Sequence, residues 1–209
     1  MMVLLSLKAV IGYGLLVGGA GLLPGNIWRI HLRIPLWKRG NEMTSEKAIE
    51  VLKSAILLEM RGENFYRTVA DQAADADVKE FFTLMATEEE NHKEILSSQL
   101  RELTVGRSFL VNPSVMGGSS KVSDGVLSAK VKSRIGAAGF EAAAISAAMA
   151  MEQAAVALYG GRAAETLDPQ EKELYQWLTR WEQTHLHELS EMDSAIRESV
   201  WNDAGFWPY

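Results

Sequence analysis

Glu89-Glu90-Asn91-His92 and Glu182-Gln183-Thr184-His185 are two copies of one motif, Glu-x-x-His. A solitary glutamate precedes each by thirty positions, Glu59 in the first copy and Glu152 in the second. Every residue of the first set recurs 93 positions later in the second. On a helix, residues at i and i+3 share a face, so each motif offers a carboxylate and an imidazole to one ion. Four carboxylates and two imidazoles on four helices form the ligand set of a di-iron or di-manganese carboxylate bundle. The reading is therefore an all-α four-helix bundle whose metal ligands are Glu59, Glu89, His92, Glu152, Glu182 and His185.

The thirty-residue spacing carries geometry of its own. A turn expected near residue 74 leaves Glu59 about fifteen residues before it and Glu89 about fifteen after it. At 1.5 Å per residue, both carboxylates stand at the same height, roughly 22 Å from the turn. The repeat extends beyond the ligands: Asp75, Lys79 and Glu80 recur as Asp168, Lys172 and Glu173, and Tyr66 recurs as Tyr159. Such a shared register argues that the halves are structurally equivalent around one site. A single Glu-x-x-His in a helical protein says little, and Glu88-Glu89-Glu90 alone would read as a solvated face. A plain bundle with surface histidines must explain why two of only four histidines fall in register with paired acids, twice. His31 and His187 read as non-ligands, the second because it lies two positions from His185 and so on another face. Glu63, one turn from Glu59, is a candidate for an additional carboxylate, and Tyr66 and Tyr159 for packing near the lone glutamates.

Around these motifs, apolar residues recur at helical spacing. Ile49, Leu52, Ile56, Met60 and Val69 mark a first helix from Ser45 to about Ala73, with Thr44 as its N-cap. Phe81, Phe82, Leu84, Met85, Ile95, Leu96 and Leu100 mark a second, from about Ala76 to Leu103 behind Asp75. A third runs from about Gly139 to Leu167. The fourth starts at Asp168-Pro169-Gln170-Glu171, with Asp at the N-cap, Pro at N1 and Glu at N3, and its stripe runs from Leu174 through Trp177, Leu178, Trp181, Leu189 and Met192 to Ile196. Between the hairpins, residues 104–135 form a Gly-, Ser- and Pro-containing connection. Its length fits a crossover along the bundle; an up-down-up-down bundle with a long surface loop is the alternative. Gly160-Gly161, inside the third helix, suggests a kink or a close backbone approach.

Composition narrows the chemistry. The 209 residues contain no cysteine, which excludes disulfides, iron–sulfur clusters and four-cysteine iron within them. A formal charge of −6 gives no ground for a nucleic-acid partner. Residues 1–43 differ from the domain of 44–209. Ala9 to Trp28 is an uncharged run of twenty residues, interrupted by six glycines and Pro24 and followed by Arg29, Arg33, Lys38 and Arg39. As a membrane segment it would anchor the domain at the cytoplasmic face. Its rivals are a loosely packed leader and a start of translation at Met43.

At Glu59 with Phe65-Tyr66, Leu84 to His92, Glu152 with Tyr159, and Leu178 to His185, the chain resembles the rubrerythrin family of the ferritin-like superfamily. The resemblance covers about residues 45–200 and implies two hairpins joined by a crossover. It further implies two iron ions, manganese being the other candidate, with some of the glutamates bridging. The implied activity is reduction of peroxide, or reaction with dioxygen. Ferrous-iron oxidation or storage is the alternative, and a membrane-tethered di-iron hydroxylase a third. The usual rubrerythrin carries a rubredoxin-like domain, whose four-cysteine iron passes electrons to the site. Without cysteine, these residues would depend on an external donor, either rubredoxin-like or a reductase. The expected setting is a cytoplasmic homodimer, with residues 9–28 as a tether to the inner face of the membrane in the anchored reading.

Overall fold

The computed structural model describes residues 36–110, 116, 120, 122, 130–132, 134 and 139–203. Side chains are described from Ser45 onward, residues 200, 202 and 203 excepted. Four helices carry the fold: α1 (Leu36–Gln72), α2 (Ala76–Thr104), α3 (Phe140–Glu165) and α4 (Pro169–Asp203). No strand occurs among the described residues.

The helix starts are set by short polar side chains. Asp75 Oδ1 accepts from the backbone N–H groups of Asp77 and Val78 at 2.9 and 3.3 Å, capping α2. Asp168 Oδ1 accepts from Gln170 and Glu171 at 2.8 and 2.9 Å, with Pro169 in the first helical position. Glu171 does not reach back to complete a capping box. It takes both Arg162 Nε and Nη2 at 2.7 and 2.8 Å, together with the Thr166 hydroxyl, in a buried cluster. At the far end of α2 the chain leaves the helix through Gly106, whose φ of 77° is open to glycine at little cost.

The start of α1 departs from the sequence reading. The helix begins at Leu36 and runs through Thr44, which is therefore no N-cap. A cap residue ends a helix only where its predecessors resist helix, and Leu36–Met43 holds one glycine and no proline. The boundary between residues 43 and 44 thus falls inside an element. The apolar run at 9–28 and His31 lie outside the described residues.

Along each helix the buried positions alternate in steps of four and three, the pattern of left-handed bundle packing. In α1 they are Ala48, Leu52, Ala55, Glu59, Gly62, Tyr66 and Val69; in α3, Ile145, Ala148, Glu152, Ala155, Tyr159 and Arg162. The lone glutamates therefore occupy core positions. Met60 stands one residue off the seam and is 42% exposed, against the expectation that it packs inside. Gly160 and Gly161 sit in a continuous α3 without a crowded neighbour: a Cβ at Gly160 would meet only Thr179 at 3.8 Å, and one at Gly161 nothing within 4 Å. The close approach expected there is absent. α3 is long and apolar enough to cross a membrane by length and composition, yet it holds the buried Glu152 and Arg162.

Two apolar clusters fix the topology. One joins Tyr66 and Val69 of α1 and Val78 to Ala86 of α2 to Ala144, Ile145 and Ala148 of α3 and Leu189, Met192 and Ile196 of α4. The other joins Ala48 to Ala55 of α1 and Leu96 of α2 to Ala155 to Ala163 of α3 and Leu174 to Leu178 of α4. The C-terminal end of α2 and the N-terminal end of α3 thus lie at opposite ends of the bundle. The connection must travel its length, and its described residues do so: Phe109 packs in the second cluster, Val122 and Val131 in the first. Gln99 clamps the departure, exchanging hydrogen bonds of 2.9 and 2.8 Å with the backbone of Leu110. The crossover reading holds and the up-down-up-down alternative fails. Between the two clusters lies a polar layer at mid-height.

Candidate metal centre

The six residues singled out by the repeat meet in that layer. Glu59, Glu89, His92 and Glu182 form one group whose ligand atoms all lie within 4.8 Å of one another; Glu89, Glu152, Glu182 and His185 form a second. Glu89 and Glu182 belong to both. Glu182 is divided between them, Oε1 standing 2.9 Å from His92 Nδ1 and Oε2 3.2 Å from His185 Nδ1. His92 Nδ1 also stands 3.7 Å from Glu59, and His185 Nδ1 3.4 Å from Glu89 and 3.7 Å from Glu152. Both imidazoles therefore turn the same nitrogen inward. All six side chains are buried, and His185 and Glu182 are fully enclosed.

Burial on this scale is unfavourable unless something compensates it. Hydrogen bonds within the protein do so only in part. Glu89 Oε1, both Glu182 oxygens, both His92 nitrogens and His185 Nδ1 lack an aligned hydrogen-bond partner despite the short distances. Buried polar atoms are rarely left so. Carboxylates in excess over imidazoles, converging on two shared centres with orphaned lone pairs, suit hard divalent cations such as iron or manganese. The residues present fit a pair of such ions, with Glu59 and His92 on one side, Glu152 and His185 on the other, and Glu89 and Glu182 between.

Protonation follows the same crowding. Burial raises the Glu89 carboxyl well above the carboxylate range, and the charges of Glu182, Glu59 and Glu152 add to it. Glu152 moves the same way, through burial and then Glu182. Burial would raise Glu182 too, but the two imidazoles outweigh it and hold that carboxyl below its ordinary range. Burial opposes a charged His92, yet the carboxylates of Glu182 and Glu59 lift it to about 10. His185 is raised as well, its burial overcome by the carboxylates of Glu182, Glu88 and Glu89 that face its ring nitrogens. These directions favour protons on the raised groups whenever no cation is bound, so a cation would have to displace them.

Two tyrosines support the lone glutamates, each across the repeat. The Tyr66 hydroxyl of α1 donates to Glu152 Oε1 of α3, and the Tyr159 hydroxyl of α3 donates to Glu59 Oε1 of α1. Burial, followed by the charges of Glu152 and Glu59 respectively, pushes both phenols well above their usual value, so they remain donors. Gly62, one turn after Glu59, leaves room for the Glu89 carboxylate: a Cβ there would stand 3.2 Å from Glu89 Oε2.

Glu63 belongs to neither group. It is engaged by Lys93 and Arg67, with Arg67 Nε at 3.0 Å, and these contacts with the two cations lower its carboxyl against a smaller effect of burial. His187 is exposed and stands apart. Sequence reasoning overlooked Glu88. Far from a solvated face, it is 5% exposed, and its Oε2 accepts from His185 Nε2 at 2.7 Å, Trp181 Nε1 at 2.8 Å and Ser120 Oγ at 2.7 Å. Burial would raise its carboxyl, but these donors and the charge of His185 hold it at about 2. The repeat held a signal: position 88 recurs as Trp181, where an acid turned to solvent would recur as another polar residue.

Comparison with known proteins bears on the whole arrangement. Residues 50–192 match the family model of rubrerythrin. The curated proteins and the solved structures gave no match. All six converging residues, both cross-repeat tyrosines and the crossover fall inside the matched span, which takes in most of the 209 residues. The chain belongs to the rubrerythrin family.

Proposed function

We propose that this protein is a di-iron carboxylate oxidoreductase that reduces peroxide with electrons from an external donor. The observation that carries the reading is the pair of overlapping ligand groups sharing Glu89 and Glu182 in a buried layer. Two ferrous ions held there would supply one electron each to the O–O bond of hydrogen peroxide, which takes up two protons and leaves as two waters. The chain's own residues prepare that chemistry. Burial excludes bulk water from the ligand layer and strengthens each charge–charge contact within it. Tyr66 and Tyr159 hold the outer glutamates in place by donating to them, and Glu88 orients His185 through its outer nitrogen. The four carboxylates offset the charge of two divalent ions, so the occupied layer approaches neutrality.

With no cysteine in these residues, the electron donor lies outside them, a rubredoxin-like centre or a reductase. A second reading, oxidation of ferrous iron as the substrate, is kept because Glu63, the candidate for an additional carboxylate at the centre, is occupied by Lys93 and Arg67. Stopped-flow mixing of the anaerobic di-ferrous protein with peroxide and with dioxygen separates the two. A peroxide reaction clearly faster than the dioxygen reaction supports peroxide reduction. Slow reaction with peroxide, and turnover of many irons per chain into mineral, would replace it with iron oxidation. The same reading assigns the protein to the cytoplasm as a homodimer, tethered to the inner face of the membrane if residues 9–28 insert. Fractionation of cells and the mass of the purified protein test those assignments.

A further inference from the structure

The two halves of the centre are related by the repeat, but their outer surroundings are not. His185 Nε2 is bonded to the Glu88 carboxylate, which is itself fixed by Trp181 Nε1 and Ser120 Oγ. The corresponding position beside His92 is held by Trp181, 93 residues after Glu88, so no carboxylate is supplied. His92 Nε2 has no hydrogen-bond partner. Its ring instead meets the edges or faces of Trp177 and Trp181, near-perpendicular with centroids 5.5 Å away. A cavity of about 790 Å³ is lined by Glu88 as well as by Asn91, His92, Trp177 and Trp181, and both His92 and His185 are buried, so the two sides differ in their hydrogen bonding rather than in access.

A carboxylate on the outer nitrogen of a metal-binding histidine fixes the tautomer that presents the inner nitrogen and raises its basicity; its loss costs about 10- to 100-fold in metal affinity. We propose that the two cation positions are unequal: the Glu152–His185 position is the tight one, secured by Glu88, and the Glu59–His92 position, whose histidine lacks such a partner, is the weak one. Glu88 is thus a positioning residue for one ion of the pair. The inference rests on the metal-centre reading above and extends it to the order in which divalent cations load.

The test uses manganese(II) alone, with free ion counted by its electron paramagnetic resonance signal. Full-length protein should bind two ions in steps separated by about 10- to 100-fold. His92→Ala leaves the Glu152–His185 position and His185→Ala leaves the Glu59–His92 position, so each variant holds one ion and removes coupling between them. Adding Glu88→Gln should weaken binding by about 10- to 100-fold in the His92→Ala protein and leave the His185→Ala protein unchanged. Glu88→Asp, which retains the charge, should give an intermediate loss in the first background only and serves if the Gln variant folds poorly. A contribution of Glu88 to folding alone would move both backgrounds together, so equal weakening in both, or in neither, overturns the proposal while leaving the centre standing. Failure of the unaltered protein to bind manganese would overturn the centre itself.

Discussion

Loading the metal-free protein with manganese(II) at pH 6 and again at pH 8 puts the electrostatics of the ligand layer to a quantitative test. His92 is held at about 10 and His185 well above its ordinary value, and each must release a proton before its Nδ1 can bind a cation. A group raised on folding adds stability below its unfolded value, near 6.5, and that stability is lost as pH climbs toward the folded value. The metal-free protein should therefore weaken upward from about pH 6.5, while protons compete less with the cation over the same range. Each displaced proton is worth about 1.4 kcal/mol per pH unit. Over two pH units, two imidazoles favour the bound pair by about 5 kcal/mol, and the raised Glu89 and Glu152 act in the same direction. For a chain of this size, 1 kcal/mol moves Tm by about 2–4 °C, so the manganese-induced rise should be about 10–20 °C larger at pH 8. Calorimetry with manganese or with chelator reads this directly, and Glu59→Ala with Glu152→Ala should abolish the rise. A manganese effect that is flat between pH 6 and 8, or larger at pH 6, would refute the account of protons standing in for cations.

Three further outcomes are expected. Arg162→Ala should destabilise the fold by about 3–5 kcal/mol by stranding the buried Glu171, whereas Arg162→Val with Glu171→Val, copying Val69 and Val78 of the first repeat, should be neutral or stabilising in urea titrations. Gly62→Ala should raise the Tm of the metal-free protein, since alanine gains about 1 kcal/mol over glycine in a helix. The same Cβ, 3.2 Å from Glu89 Oε2, should weaken manganese binding several-fold; unchanged affinity would count against Glu89 as a shared ligand. Tyr66→Phe and Tyr159→Phe should each cost about 1–3 kcal/mol by removing the hydroxyl bonded to Glu152 or Glu59, measured by chemical denaturation.

The six converging residues were legible because each obeys two patterns at once. Glu59, Glu89, His92 and their counterparts follow the repeat, and they also fall on the four-and-three spacing of the core seam, where a carboxylate or imidazole demands a reason. Glu88 obeys the first pattern badly and the second not at all. In a run of three acids, spacing along one helix does not reveal that α4 brings His185 and Trp181 to the first of them. Arg162 and Glu171 were hidden in the same way, since each replaces a valine of the other half and their pairing spans a turn. The start of α1 was misplaced because Thr44 has the chemistry of a cap while the residues before it favour helix. Met60 was misassigned by one position, because the true seam passes through Glu59 and a polar residue was not counted as core.

The crossed tyrosines reach furthest back. Each hydroxyl serves the glutamate of the opposite repeat, so a lone hairpin owns a donor without its acceptor and half of a ligand shell. Two identical hairpins facing each other across a two-fold axis would complete one another in full, as self-complementary partners do. Joining them in one chain keeps that mutual dependence and frees the copies from having to match. Position 88 against 181, and 69 against 162, are among the buried places where they no longer match. Covalent fusion would permit a two-ion site to have distinguishable sides, a condition that a strictly symmetric pair could not reach.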